Sequence, residues 1–164
     1  MSKILISGAS GKLGSLVIKH LLESQSVAPQ NIIAASRDTA KLADLAAKGI
    51  ETRQVNFADP ATLDSAFQGV DRLLVISTDA IGARVEQHKA AIEAAKKANV
   101  GRIFYTSMFN PQTSTVSFAP EHAASEAAIE ASGMAYTIFR NGWYMENLFG
   151  SLGTALAAGR WYSS

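Results

Sequence analysis

The chain has 164 residues, 48% of them hydrophobic, and a formal net charge of +1. That is the length of one domain with enough apolar material for a core, and its charge balance offers no basic surface for nucleic acid. Cysteine is absent, and the three histidines, His20, His88 and His122, lack metal-ligand spacing, so neither disulfides nor a metal site is expected.

Residues 3–7 form a short apolar strand that runs into Gly8-Ala9-Ser10-Gly11-Lys12-Leu13-Gly14 and then into the amphipathic stretch 15–22. Strand, glycine-rich turn and helix start are the opening of a dinucleotide-binding βαβ unit. The spacing is G-x-x-G-x-x-G rather than the shorter G-x-G-x-x-G. Gly8 allows a sharp turn off the strand, Gly11 lets backbone N–H groups approach a pyrophosphate, and Gly14 lets the helix pack close. The helix start offers unpaired N–H groups and a positive dipole end to phosphates. Leu13, Leu16, Val17, His20 and Leu21 recur at helical spacing and predict the face laid on a sheet.

Pro29-Gln30-Asn31 breaks that helix, and residues 32–36 read as a buried second strand. Asp38 or Thr39 caps the next helix, with Leu42, Leu45 and Ala46 inside and Gly49 as its stop. Residues 50–56 alternate as a third strand. Asp59-Pro60 is an N-cap followed by proline at the first helical position, with Leu63, Ala66 and Phe67 facing inward and Gly69 at the end. Residues 72–77 read as a strand buried on both faces. A long helix follows over 83–99 with Val85, Ile92 and Ala95 as its core stripe. The fifth strand is 102–107. Pro120 opens a helix that stops at Gly133, 135–140 is a sixth strand, and 147–158 is a short helix. Residues 159–164 end the chain, and 161–164 look like part of a further strand.

Strands alternate with helices throughout, which predicts an α/β fold: a doubly wound parallel sheet of Rossmann type with strand order 3-2-1-4-5-6. A ligand then lies over the carboxyl ends of strands 1 and 4, where the order reverses. With no signal-peptide pattern and no apolar run long enough to span a bilayer, the expected setting is the cytoplasm, away from membranes.

The end of the second strand bears on which dinucleotide is bound. It reads Ser36-Arg37-Asp38. Arg37 can pair with a 2′-phosphate or stack on adenine, which favours NADP over NAD, with Lys41 as a second candidate cation. Asp38 points the other way but also reads as an N-cap. Asn56 and Phe57 end the third strand near the expected adenine, Ile76, Ser77 and Thr78 end the fourth beside the cofactor, and Tyr105, Thr106 and Ser107 end the fifth near the nicotinamide. The Tyr-x-x-x-Lys pair of short-chain dehydrogenases is missing, because Tyr105, Tyr136, Tyr144 and Tyr162 have no lysine four residues on. Tyr136 has Arg140 there, but both fall on a predicted strand. Where that pair would lie the chain has His122-Ala123-Ala124-Ser125-Glu126, so His122 is a candidate proton donor beside its plain reading as a surface histidine.

Gly8 to Gly14, Ser36-Arg37, Tyr105-Thr106-Ser107, Glu121-His122 and above all the segment from Arg140 to Asn147 (Arg-Asn-Gly-Trp-Tyr-Met-Glu-Asn) make the chain resemble the NmrA-like branch of atypical short-chain dehydrogenases. The likeness runs its whole length and is greatest to the NAD(P)H:quinone oxidoreductase type 2 enzymes, with triphenylmethane reductases as near relatives. The resemblance implies NADPH on Gly8 through Gly14, on Arg37, on Ser77 with its neighbours, and on Asn141, Gly142, Trp143, Tyr144, Met145 and Glu146. It also implies a quinone or quinone-like dye over the nicotinamide near Tyr144, reduced by hydride transfer. A quinone accepts hydride readily and its reduced oxygen can take a proton from water, so the missing tyrosine–lysine pair fits this chemistry.

Members of that family continue past residue 164 into a smaller subdomain that completes the substrate pocket. On that basis 1–164 is expected to be the NADP-binding domain, with 147–164 starting a substrate lobe that is mostly lacking. A partner chain, such as the second copy of a homodimer, could cover the open side. The residues also leave room for an NADP-binding redox sensor without catalysis, and for an isomerase or other reductase on the same scaffold.

Overall fold

Runs of apolar residues buried on both faces belong in the middle of a parallel sheet. In the computed structural model, which describes residues 2–161, the strands are β1 (Ile4–Ile6), β2 (Ile32–Ser36), β3 (Glu51–Gln54), β4 (Arg72–Val75), β5 (Arg102–Met108) and β6 (Ala135–Asn141). Every residue of β2 is buried, as is all of β4 after Arg72. The six strands form one sheet in the order β3-β2-β1-β4-β5-β6, the expected order. All neighbours pair in parallel, with Ile4 opposite both Ile32 and Arg72. The strand order therefore reverses between β1 and β4, and their carboxyl ends open a crevice there.

The helices are α1 (Lys12–Glu23), α2 (Ala43–Ala47), α3 (Pro60–Ala66), α4 (Arg84–Lys97), α5 (Ala119–Ala131) and α6 (Glu146–Ala158). Alternate strand residues feed two cores. On one face Leu5, Ile33, Leu73 and Ile103 meet Leu63 of α3, Ile92 of α4 and Ile129 of α5. On the other, Ile6, Ile32, Ala34 and Leu74 meet Ile18 of α1 and Leu42. Truncating a fully buried residue such as Leu73 to alanine costs about 2–5 kcal/mol. Asp59 caps α3 by accepting from the Ala61 amide, with Pro60 in the first turn, as its sequence predicts.

Several expectations are corrected. α1 begins at Lys12, not Ser15, so Gly14 lies in its first turn. Its fully buried residues are Gly14 and Ile18, and Val17 and Leu21 pack half-buried against the core as expected, whereas Leu16 is 48% exposed and His20 is exposed. The rotation has a steric cause: the helix touches the preceding turn at its one residue without a side chain, which turns Leu16 outward and leaves Leu13 half-buried. The second helix splits into a 3₁₀ turn, Thr39–Leu42, and the five-residue α2, and Ala46 is exposed. In α4 the buried stripe begins with Arg84 and His88, while Val85 is only half-buried. β3 and β4 are shorter than expected and β6 runs one residue longer. Trp161 is not in a strand, and the expected strand residues 162–164 lie outside the described residues.

α6 has no buried residue, and Phe149 on it is 71% exposed. No helix among the described residues is long and apolar enough to cross a membrane.

Candidate active site

The site is built from the turn after β1. Gly8 has φ +63, a conformation that favours glycine. The Gly11 amide donates to the Gly8 carbonyl at 2.9 Å, and the Ala9 amide donates to the Ala35 carbonyl of β2 at 2.9 Å. A Cβ at Gly14 would overlap the Gly8 carbonyl oxygen and sit 2.9 Å from Ala9 Cα. The N-cap of α1 is Gly11, with no side-chain cap and no acid in the first turn. Its leading N–H groups are thus left for a ligand, and the dipole end is unopposed by protein charge. This is a cradle that fits the pyrophosphate of a dinucleotide.

A cleft of about 310 Å³ opens in front of the cradle. Gly8, Ser10 and Gly11 line it from the turn, Ser36 and Arg37 from the end of β2, Asn56 and Phe57 from beyond β3, and Ile76, Ser77 and Thr78 from beyond β4. Three strand ends thus converge as the sequence predicts. Arg37 is exposed and forms no ion pair with the described residues. Asp38 is engaged elsewhere: its Oδ1 accepts from the Ala40 amide at 3.0 Å, as an N-cap. Lys41 does not line the cleft. Ser10 and Ser36 bond through their hydroxyls at 2.9 Å and tie the turn to β2.

The other expected residues are dispersed. Ala9 and Gly14 are buried behind the cradle. Lys12 and Leu13 line a separate cavity of about 360 Å³ with Leu16, Tyr144, Glu146 and Asn147. A third cavity, of about 250 Å³, is lined by Ser77, Ser107, His122, Asn141, Gly142, Trp143 and Tyr144, together with Met108, Phe109 and Phe118, which the sequence reading did not single out. Met145 lines none of these cavities. Trp143 is exposed, and Tyr144 accepts at its hydroxyl a hydrogen bond of 2.8 Å from Asn141 Nδ2. Thr106 clamps the end of β4 to β5: its Oγ1 accepts from the Ser77 amide at 2.9 Å. Ser77 is therefore a wall of both the first cleft and the third cavity.

Beneath these cavities lies a buried polar cluster from α4, β5 and α5. Tyr105 does not reach the surface; it is 1% exposed, with its hydroxyl 2.8 Å from His122 Nδ1 and 3.4 Å from His88 Nδ1. His88 Nδ1 is 2.9 Å from Ser125 Oγ, and His88 Nε2 accepts from the Thr78 amide at 3.2 Å. Arg84 donates through Nε to the Thr78 carbonyl at 2.7 Å, pairs with Glu121 at 3.4 Å and lies over the Phe118 ring. Burial, reinforced by the Arg84 charge, pushes His88 down to about 3 and His122 down to about 4, and burial pushes the Tyr105 hydroxyl up to about 12. All three groups are uncharged at neutral pH. His122 is thus no surface histidine.

From the sequence alone Arg84 and His88 have no role in the site, and Glu121 and Ser125 figure only as neighbours of His122. A signal existed: Arg84, His88, Ile92 and Ala95 share one helix face, so polar residues continue a stripe that is otherwise apolar.

Comparison with known proteins accords with this architecture. The chain matches the NAD(P)H-binding family over residues 8–156. It is 45% identical over 156 residues to quinone oxidoreductase 2 of Escherichia coli (strain K12), an alignment covering 95% of this chain and 54% of that protein. The crystal structure of an NADPH-dependent quinone oxidoreductase from Escherichia coli complexed with NADPH superposes with a TM-score of 0.89 at 45% identity, covering 95% of this chain and 54% of that one. The Citrobacter sp. triphenylmethane reductase complexed with NADP(H) gives 0.88 at 34% identity, covering 95% and 55%. The chain spans about half the length of these relatives. A glycine cradle at the reversal point of a 3-2-1-4-5-6 sheet and a family match across most of its length lead to one statement: this chain belongs to the NAD(P)H-binding family.

Proposed function

We propose that the chain binds NADPH across the strand-end cleft and reduces a quinone or quinone-like dye in the cavity beside it. The observation that carries this reading is the shared wall at Ser77, which makes the cleft and the His122–Tyr144 cavity neighbours. In this reading the turn from Gly8 to Gly14 holds the pyrophosphate, Arg37 pairs with the 2′-phosphate, Asn56 and Phe57 border the adenine, and Ser77 with Thr106 and Ser107 borders the nicotinamide. The 141–146 segment covers the reacting end. The relatives named for NADPH-dependent quinone and dye reduction support the same assignment.

The bound cofactor supplies the hydride. The protein's part is to hold the acceptor against the nicotinamide and to exclude alternative poses, which lowers the barrier by converting a bimolecular encounter into an oriented one. His122 and Tyr144 stand at the acceptor's side of the cavity. Residues 1–164 form the NADP-binding domain in this reading, and the 147–164 segment begins a substrate lobe, which accounts for an α6 with no buried residue. A homodimer is the proposed assembly, and the cytoplasm, with its maintained NADPH supply, the proposed compartment.

The test is NADPH oxidation, followed by loss of its absorbance, against a panel of quinones and triphenylmethane dyes. Acceptor-dependent oxidation is expected, faster with NADPH than with NADH. Retained NADPH binding with no acceptor-dependent oxidation overturns the reading. Sedimentation of the chain, alone and with NADPH, decides the dimer.

A further inference from the structure

The buried cluster has a direction, and one backbone amide sets it. The Thr78 N–H can only donate, and it points at His88 Nε2. That nitrogen must therefore be bare, so the His88 proton is on Nδ1. Nδ1–H donates to Ser125 Oγ, whose own hydrogen is committed to the Glu121 carbonyl at 2.7 Å. His88 then has no lone pair to offer Tyr105. The one hydrogen of the Tyr105 hydroxyl goes to His122 Nδ1 instead, at 2.8 Å. His122 in turn carries its proton on Nε2, for which the described residues provide no partner, and the ring lines the cavity shared with Ser107, Asn141 and Tyr144. Turned the other way, the Tyr105 hydroxyl would face the His88 Nδ1–H or have to share Ser125 Oγ with it.

We propose that Thr78, His88 and Tyr105 lock His122 as the neutral Nε2–H tautomer, a fixed hydrogen-bond donor aimed into the cavity, and that His88 and Tyr105 are positioning residues for it. Resting on the reductase reading above, the donor's target is the carbonyl oxygen of the acceptor, on which negative charge develops as hydride arrives. Its role is to donate a hydrogen bond and keep the proton; the proton taken by the reduced oxygen is water's. The charged groups around the rings are Arg84 on α4 and Glu121 and Glu126 on α5, with Tyr105 on β5 the remaining titratable neighbour. Desolvation, Arg84 and His122 all lower the His88 pKa, and at His122 desolvation and Arg84 outweigh the two carboxylates, so both rings stay uncharged through neutral pH.

Isotope-labelled histidine in the unliganded chain, read by proton–nitrogen NMR, reports which ring nitrogen carries hydrogen. The expected result is His88 protonated at Nδ1 and His122 at Nε2, both unchanged between about pH 6 and 8. Tyr105→Phe removes one hydrogen-bond donor at almost constant volume. It should leave His88 as it was and turn His122 into a mixture of tautomers. Finding His122 protonated at Nδ1 in the parent chain, or still fixed at Nε2 in Tyr105→Phe, overturns the proposal. These spectra need no acceptor, so a failure of quinone reduction and a failure of the ring assignment are seen separately. With an acceptor that turns over, His122→Phe is expected to lower kcat on the order of a hundredfold with KM little changed, and His122→Gln, which restores an N–H at similar reach, to recover much of it. Full activity in His122→Phe overturns the donor's role.

Discussion

Arg140 grips Glu126 with two hydrogen bonds, 3.1 Å from Nε to Oε1 and 2.7 Å from Nη2 to Oε2. The pair ties the end of β6, from which the 141–146 segment departs, to the middle of α5, four residues beyond His122. Burial is the largest single influence and works to raise the Glu126 pKa, but the hydrogen bonds from Arg140, Ser107 and Gln112 together with the Arg140 charge hold it below its ordinary 4.5. A carboxylate with a depressed native pKa adds stability above its unfolded value, and that stability is lost as pH falls through the native one. Glu126→Gln should therefore lower the thermal midpoint at neutral pH, and the difference from the parent should shrink as pH drops below about 4.5. Thermal melts of both chains across that range check it.

The histidines act at a higher pH. His88 and His122 are held at about 3 and about 4 in the fold, against 6.5 for a free ring. The unfolded chain thus binds more protons below pH 6.5, and stability should decline from there toward pH 4, with a limiting slope of about 1.4 kcal/mol per pH unit for each ring. His122→Gln removes one ring and should flatten this decline by up to half. Chemical denaturation at stepped pH measures it, and the range above pH 4.5 separates the histidines from Glu126.

Gly14→Ala should be the most damaging single methyl in the chain. Its Cβ would overlap the Gly8 carbonyl, so either the turn or α1 must shift. A stability loss of about 1–3 kcal/mol is expected from overpacking, with a large drop in dinucleotide affinity because the cradle moves. Gly150→Ala on α6 is the control, since nothing lies within 4 Å of a Cβ there. Calorimetric titration with NADPH compares the two.

Arg37 is the expected discriminator between dinucleotides. Losing one charge-assisted contact to a 2′-phosphate corresponds to about 1.5–3 kcal/mol, so Arg37→Ala should weaken NADPH about 10- to 100-fold. NADH, which lacks that phosphate, should be little affected. Equal losses for both would place the 2′-phosphate elsewhere.

Much of the fold was legible because local signals agreed with one another. The apolar runs of β2 and β4, the caps at Asp38 and Asp59 and the glycine-rich turn each point to the same alternating architecture. The convergence of Arg37, Asn56 and Ser77 on one cleft followed from strand order alone. The facing of α1 followed only in part, with Val17 and Leu21 on the core but Leu16 and His20 outside, because it is also set by contact between Gly14 and Gly8. The buried cluster, whose one signal is the shared helix face of Arg84, His88 and Ile92, is hard to read for a related reason. Arg84, His88 and Glu121 are polar, so a periodicity reading counts them as surface, and the partners that make their burial tolerable come from other elements. Tyr105 was placed at the site's edge by its position at a strand end, whereas its side chain points into the core.

The donor that orients the histidine chain belongs to the backbone of Thr78. Main-chain amides survive every amino-acid replacement except proline. The sense of the relay is therefore immune to drift at position 78, although each ring it orders can be lost by one substitution. Thr78→Pro alone would remove the first link and leave every side chain of the relay in place.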